Sequence, residues 1–324
     1  MKFAVFGAGA IGGLIAARLL DTGQEVSVIA RGAHLAAIRQ RGLRIRSTVF
    51  GESTSRPRAS EDPAGIGPVD VVVLAVKAHS LTAIAPSLGP LFGPETICVT
   101  TQNGIPWWYF EGLSGRWAGT RLDSVDPGGT IAAHIDSRRV IGSVVYISAS
   151  LVEPGVLDHV EGARLPIGEL DGSRSERVRD LASVLTTAGL KSSVRSDIRA
   201  DIWTKLLGNA TFNPISALTR ATMKQLLDAP ETRRLIAEGM EEVRAVAAAL
   251  GASISISTEK RMAGAEQVGH HKTSMLQDLE AGRPLELEPI LGAVVELAGK
   301  TGVAVPRLAS LYACVKLLSA NVTR

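Results

Sequence analysis

Lys205, Asn209 and Asn213 recur at every fourth position of the stretch Trp203–Pro214. That spacing lines side chains along one face of a helix. The neighbours Leu206, Leu207, Ala210 and Phe212 are mostly apolar. One ammonium and two amides on such a surface are costly to bury without partners. Two readings stay open: a half-exposed helix whose polar stripe faces water, or a stripe that holds a polar ligand. Asn213 precedes Pro214, a position biased away from helix, so the stripe is expected to end at a break there. Ser274 with Gln277 fits a capping box, so Ser274 is expected to start a helix. A helix start also suits an anion. Glu286 follows Gly282–Arg283–Pro284 and precedes the next helical stretch. Alone it reads as an ordinary first-turn glutamate. His270 and His271 project in different directions, and no cysteine or carboxylate cluster completes a site, so no metal is expected.

A source of hydride is written at the other end of the chain. Gly7–Ala8–Gly9–Ala10–Ile11–Gly12 directly follows the apolar run Lys2–Phe6 and opens an amphipathic stretch. Strand, Gly-x-Gly-x-x-Gly and helix in that order form the dinucleotide-binding fingerprint. The first glycine permits the tight turn, the second lets backbone approach a pyrophosphate, and the third lets the helix pack on the sheet. A signal peptide also begins with a cation and an apolar stretch, but Arg18 interrupts this one before any small-x-small cleavage site. A second strand is expected at Glu25–Ala30. It ends at Arg31, where an NAD enzyme usually carries Asp or Glu; a cation there suits the 2′-phosphate of NADP. Lys77 and Gln102–Asn103–Gly104 follow two further apolar runs. Ligands bind at the carboxyl ends of strands in such sheets, although a solvated lysine and an Asn-Gly turn would look the same.

These groups must be carried by a framework, and the 324 residues are enough for two domains. Strand and helix patterns alternate through the first half, as in a parallel sheet. Pieces between Val140 and Gly168 are expected to extend or edge that sheet. A helix is expected at Ser175–Ala188 and a short strand-like piece at Leu190–Val194. From Asp197 onward the pattern is helical. The expected fold is therefore α/β. A Rossmann-type, doubly wound parallel sheet at 1–196 binds NADP, and an all-helical substrate and catalytic domain occupies 197–324. Net charge is only +3, which makes no case for nucleic acid or a membrane surface. No apolar run approaches the length of a membrane span. Cys98 and Cys314, both in apolar runs, make no disulfide framework, so a cytoplasmic setting is expected. Leu308–Leu318 packs either within the helical domain or against a second copy, which would make a homodimer.

Taken in order, these motifs resemble the ketopantoate reductase family over nearly the whole chain. The resemblance rests on Gly7-x-Gly9-x-x-Gly12, Arg31, Val76–Lys77, Gln102–Asn103–Gly104, Lys205-x₃-Asn209-x₃-Asn213–Pro214, Ser274–Asp278 and Gly282–Arg283-x-x-Glu286. It implies reduction of a 2-oxo acid, 2-dehydropantoate, to (R)-pantoate with NADP(H), on the route to pantothenate and coenzyme A. By the same resemblance Lys205 is the general acid and Glu286 shares in catalysis and cofactor binding. Asn103, Asn209, Asn213 and Ser274 hold the substrate, Ser274 by its carboxylate. Lys77, Asn103 and Arg31 join the glycine turn in holding the cofactor. The chain departs from the family pattern at Trp107–Trp108–Tyr109–Phe110, where many members are more polar. It also lacks an asparagine near Thr219–Met223 and has Leu291–Gly292 where Asn-Gly is frequent. The aromatic run fits core filling and a pocket wall for a bulkier 2-oxo acid equally well.

Overall fold

The computed structural model describes residues 1–322. The chain divides into two compact units. The first comprises Met1–Gln102, Phe110–Gly119 and Gly128–Ile198. Its elements begin with β1 (Lys2–Phe6), α1 (Ala10–Asp21), β2 (Glu25–Ile29) and α2 (Gly32–Arg41). Next come β3 (Leu43–Ser47), β4 (Gly51–Ser55), β5 (Arg58–Ser60), β6 (Val69–Leu74), α3 (Ala78–Ile84) and β7 (Phe92–Thr100). The unit closes with α4 (Thr130–His134), β8 (Val140–Ser143), β9 (Tyr146–Glu153), β10 (Val156–Arg164), β11 (Ile167–Glu169) and α5 (Glu176–Thr187).

Seven strands form one sheet in the order β11-β8-β7-β6-β1-β2-β5. All pairings are parallel except β11 with β8. β1 lies between β2 and β6, so the chain winds outward from it in both directions. The carboxyl end of β1 is therefore the switch point at which doubly wound sheets bind ligands. Val71, Val72, Val73 and Leu74 are all buried, as befits a strand covered on both faces. Phe3 and Val5 of β1, Leu14 and Ile15 of α1 and Leu181 and Leu185 of α5 share one core.

Between Val140 and Gly168 the sequence expectation holds in part. β8 and β11 extend the main sheet, whereas β9 and β10 join β3 and β4 in a separate sheet ordered β4-β3-β10-β9. The reason is visible in β3, where Leu43 and Ile45 are buried and Arg44 between them is exposed. Period-two alternation suits a sheet with one wet face. Arg44 and Arg46 pair on that face with Glu52 and Asp158. The stretch 190–194 contributes only isolated bridges, at Lys191 and Val194.

Cys98 sits in β7 with no exposure, and burial pushes its thiol up to about 12, the Arg139 charge opposing this in part. Cys314, although set in an apolar run, is exposed. Only the thiolate reacts. At about pH 8, an aromatic disulfide reagent should therefore titrate one thiol in the native protein and the second only on unfolding. Fast reaction of both thiols in the folded state would contradict this.

The second unit comprises Asn103–Tyr109, Thr120–Pro127 and the described residues from Arg199 onward. Its helices are α6 (Ile198–Asn209), α7 (Phe212–Thr219), α8 (Met223–Asp228) and α9 (Pro230–Ala249), then α10 (Thr258–Val268), α11 (Ser274–Glu280), α12 (Ala293–Thr301) and α13 (Pro306–Val322). α7 packs on α11 and α13, and α9 on α12 and α13. A π-helical turn, Glu288–Gly292, leads into α12. No helix among the described residues is long and apolar enough to cross a membrane.

Candidate active site

Pro214 has no N–H to offer the Ala210 carbonyl, and its ring would clash there. The helix accordingly stops at Asn209 and restarts at Phe212. The expected break thus exists, but it precedes Asn213 rather than following it. Pro214 falls in the first turn of α7, where a missing N–H costs nothing. Lys205 and Asn209 therefore share α6, and Asn213 stands on α7. The single-helix stripe is in fact two helices joined at Ala210–Thr211.

Lys205 Nζ donates to Asn103 Oδ1 at 2.6 Å, and Asn103 Nδ2 donates to Glu286 Oε2 at 3.3 Å. An ammonium can only donate and a carboxylate can only accept, so an amide between them has just one orientation. The three residues form a chain from cation through amide to anion. Glu286 is buried and Lys205 half-buried. The loop that carries Asn103 is clamped beside Glu286. Ile105 N–H donates to the Pro289 carbonyl at 2.8 Å. Gly104 has φ +85°, and a Cβ there would lie 2.1 Å from the same oxygen. Further along the loop, Trp203 Nε1 donates to Tyr109 Oη at 2.6 Å and Arg199 Nε to the Tyr109 carbonyl at 2.7 Å. π turns concentrate at functional sites, and the one at Glu288 begins two residues after Glu286.

Asn209, half-buried, lies one turn beyond Lys205. Asn213 is only 5% exposed, and its Nδ2 has no hydrogen-bond partner. A buried orphan donor costs about 1–3 kcal/mol, which an oxygen of a bound ligand would offset. Ser274 is exposed and is the first residue of α11, not its cap. Thr273 caps that helix, its hydroxyl accepting from Leu276 N–H at 3.3 Å. The expected cap is therefore displaced by one residue. Neither Asn213 nor Ser274 hydrogen-bonds to the Lys205–Asn103–Glu286 chain.

In the first unit, Gly7 has φ +98° and a Cβ there would meet Val76 N at 2.9 Å. A Cβ on Gly12 would meet the Gly7 carbonyl at 2.0 Å. Gly9, by contrast, faces open space. It is the N-cap of α1, and neither a side-chain cap nor a first-turn acid occupies that end. Free N–H groups and a positive dipole beside open space fit a pyrophosphate. Ala8 and Ala10 flank Gly9, and Ile11 continues α1. Arg31 is exposed at the start of α2, and Lys77, half-buried, is the N-cap of α3. β6 itself ends at Leu74, three residues before Lys77.

Sequence reasoning passed over His34. Its Nδ1 accepts from Gly155 N–H at 3.0 Å, so Nε2 carries the hydrogen and donates to the Ala8 carbonyl at 2.7 Å. The ring thus ties the glycine turn to the β9–β10 hairpin. Only its place, three residues after Arg31, hinted at this.

A doubly wound sheet carrying this fingerprint, with a lysine–amide–carboxylate chain in a helical unit, defines an oxidoreductase with a Rossmann-type fold. Residues 3–107 match the family described as ketopantoate reductase PanE/ApbA, and residues 197–319 match its C-terminal counterpart. The chain is 48% identical over 321 residues to the 2-dehydropantoate 2-reductase of Mesorhizobium japonicum, with 98% of each chain covered. It is 40% identical to a structure solved as a candidate ketopantoate reductase from Ralstonia solanacearum, with TM-score 0.94 over 99% of this chain and 98% of that one. It is 32% identical to the 2-dehydropantoate 2-reductase of Methylococcus capsulatus, with TM-score 0.85 over 100% of this chain and 98% of that one. The chain belongs to the ketopantoate reductase family.

Proposed function

We propose that the protein reduces 2-dehydropantoate to (R)-pantoate with NADPH, a step toward pantothenate and coenzyme A. The observation that carries this reading is the Lys205–Asn103–Glu286 chain. It holds one ammonium in fixed orientation within a helical unit that also buries an orphan amide donor. The reduced nicotinamide supplies the hydride. As negative charge builds on the carbonyl oxygen, Lys205 stabilises it and delivers the proton. Asn103 aims the ammonium, and Glu286 aims Asn103. Asn209 and Asn213 donate to the substrate's polar groups, and the Gly7–Gly12 turn with Lys77 receives the cofactor. The burial of Trp107, Trp108, Tyr109 and Phe110, with Tyr109 bonded to α6, favours a packing role for the aromatic run over a wall for a bulkier acid.

NADPH oxidation should be fast with 2-dehydropantoate and slow with branched and aromatic 2-oxo acids of larger size. A higher kcat/KM on an aromatic acid would replace this substrate assignment, and cofactor binding without any turnover would replace the enzymatic one. Arg31 supplies the preference for NADPH. Losing a charge-assisted bond to phosphate weakens binding about 10–100-fold. Arg31→Ala should raise KM for NADPH by about that factor while leaving NADH little changed. An unaltered NADPH/NADH ratio would remove Arg31 from the cofactor site.

A further inference from the structure

His34 stands half-buried on the first turn of α2, with a bond from each ring nitrogen. Gly155 N–H donates to Nδ1 at 3.0 Å, and Nε2 donates to the Ala8 carbonyl at 2.7 Å. Both partners are themselves held in place. The Gly155 carbonyl accepts from Arg44 N–H of β3 at 2.8 Å. Gly155 has φ +86°, and a Cβ there would meet Ala37 Cβ of α2 at 3.1 Å. On the Ala8 side, a Cβ on Gly13 would lie 3.0 Å from the Ala8 carbonyl oxygen and 2.6 Å from Leu157 Cδ1 of β10. The second sheet therefore packs against α1 just where the glycine turn opens that helix, and His34 is the polar link between them.

The Ala8 carbonyl and the Gly9 N–H belong to one planar trans peptide, so they point in opposite directions. Glycine restricts such a plane less than any other residue, and Gly9 faces open space. A plane turned over would present an oxygen, not an N–H, to an anion lying there. His34 keeps the carbonyl on its own side and so aims the Gly9 N–H to the other. We propose that His34 is a positioning residue for the dinucleotide: through Ala8 it sets the Gly9 N–H for the pyrophosphate, with the second sheet as its anchor. This rests on the reading of the Gly7–Gly12 turn as the cofactor site. A pyrophosphate is common to NADP(H) and NAD(H). His34 therefore acts on both alike, whereas Arg31, three residues earlier, separates them.

Calorimetry of NADP⁺ and NAD⁺ binding to two variants separates the two bonds of the ring. His34→Asn keeps an acceptor for Gly155 N–H but is too short to reach Ala8. His34→Gln, one carbon longer, carries an N–H out to Ala8. In His34→Asn, Kd should rise about 3–10-fold for both dinucleotides, the worth of one hydrogen bond, with their ratio unchanged. In His34→Gln it should stay within about two-fold of wild type. In turnover the loss should fall on KM for NADPH rather than on kcat, because the turn holds the phosphates and not the reacting atoms. An unchanged Kd in His34→Asn, or an equal rise in both variants, would overturn the positioning role and leave the ring as a staple between α2 and the hairpin. A rise confined to NADP⁺ would also overturn it, by placing His34 at the 2′-phosphate. A wild type that binds neither dinucleotide would instead overturn the cofactor reading, and this assignment with it.

Discussion

Lys205→Ala should lower kcat for the 2-oxo acid by about 10³-fold or more and leave NADPH affinity within about two-fold, because it removes the proton donor and the stabilising charge together. General acid catalysis alone contributes about 10²–10⁴-fold, and loss of a charge aimed at a developing oxyanion costs about 10²–10³-fold. The two do not add, since one ammonium serves both. The substitution also leaves Asn103 Oδ1 without the donor it has at 2.6 Å. Part of the loss would thus be positional, and Lys205→Gln separates the two. Its amide can still donate to Asn103 but carries no charge and gives up no proton at neutral pH. Activity restored by glutamine would mean that Lys205 only holds Asn103. Equal losses in both variants assign the effect to the ammonium. NADPH titration by fluorescence in each variant shows whether the cofactor site is intact.

How much of this was legible in the sequence depends on the range of the interaction involved. The glycine turn is local: strand, turn and helix fit within Lys2–Asp21, although the close approach of Val76 to Gly7 is not. The β-branched run at Val69–Leu74 likewise marks a strand by itself. Lys205 and Asn209 were legible as neighbours on one helix, because spacing of four is a property of the helix alone. Asn213 was misplaced because Pro214 affects the turn before it, ending α6 at Asn209. Ser274 was taken as a cap because Gln277 lies three residues on; Thr273, with a similar hydroxyl, wins the position. The short strands of the second sheet were misassigned for a different reason. Period-two alternation tells which face is buried but not which strand is the neighbour.

The pairings that build the site are all distant in sequence. Asn103 lies 102 residues from Lys205 and 183 from Glu286. No spacing rule reaches that far, and each of the three has an ordinary local explanation. Family resemblance supplied their roles, whereas the amide's orientation between cation and anion is a structural observation.

Gly104→Ala should be the most damaging single-methyl change at the site, costing about 3 kcal/mol or more of stability as well as activity. Two effects act together. Gly104 holds φ +85°, a region that costs a residue with a Cβ roughly 1–2 kcal/mol. The added carbon would also lie 2.1 Å from the Pro289 carbonyl oxygen, 2.3 Å from its carbon and 2.8 Å from Ile290 N. All three are backbone atoms at the start of the π-helical turn, so no side chain can rotate away. Either the loop lifts or the turn shifts, and the Ile105 N–H to Pro289 bond at 2.8 Å lengthens with it. Asn103 is the residue before Gly104 and Glu286 lies three before Pro289, so the motion pulls apart the two ends of the amide–carboxylate bond. The melting temperature should fall by roughly 6–10 °C. kcat should fall with it when assayed well below the transition, while NADPH still binds through the Gly7–Gly12 turn. Wild-type melting and turnover in Gly104→Ala would mean that the loop tolerates a Cβ, and the clamp would then not be what positions Asn103.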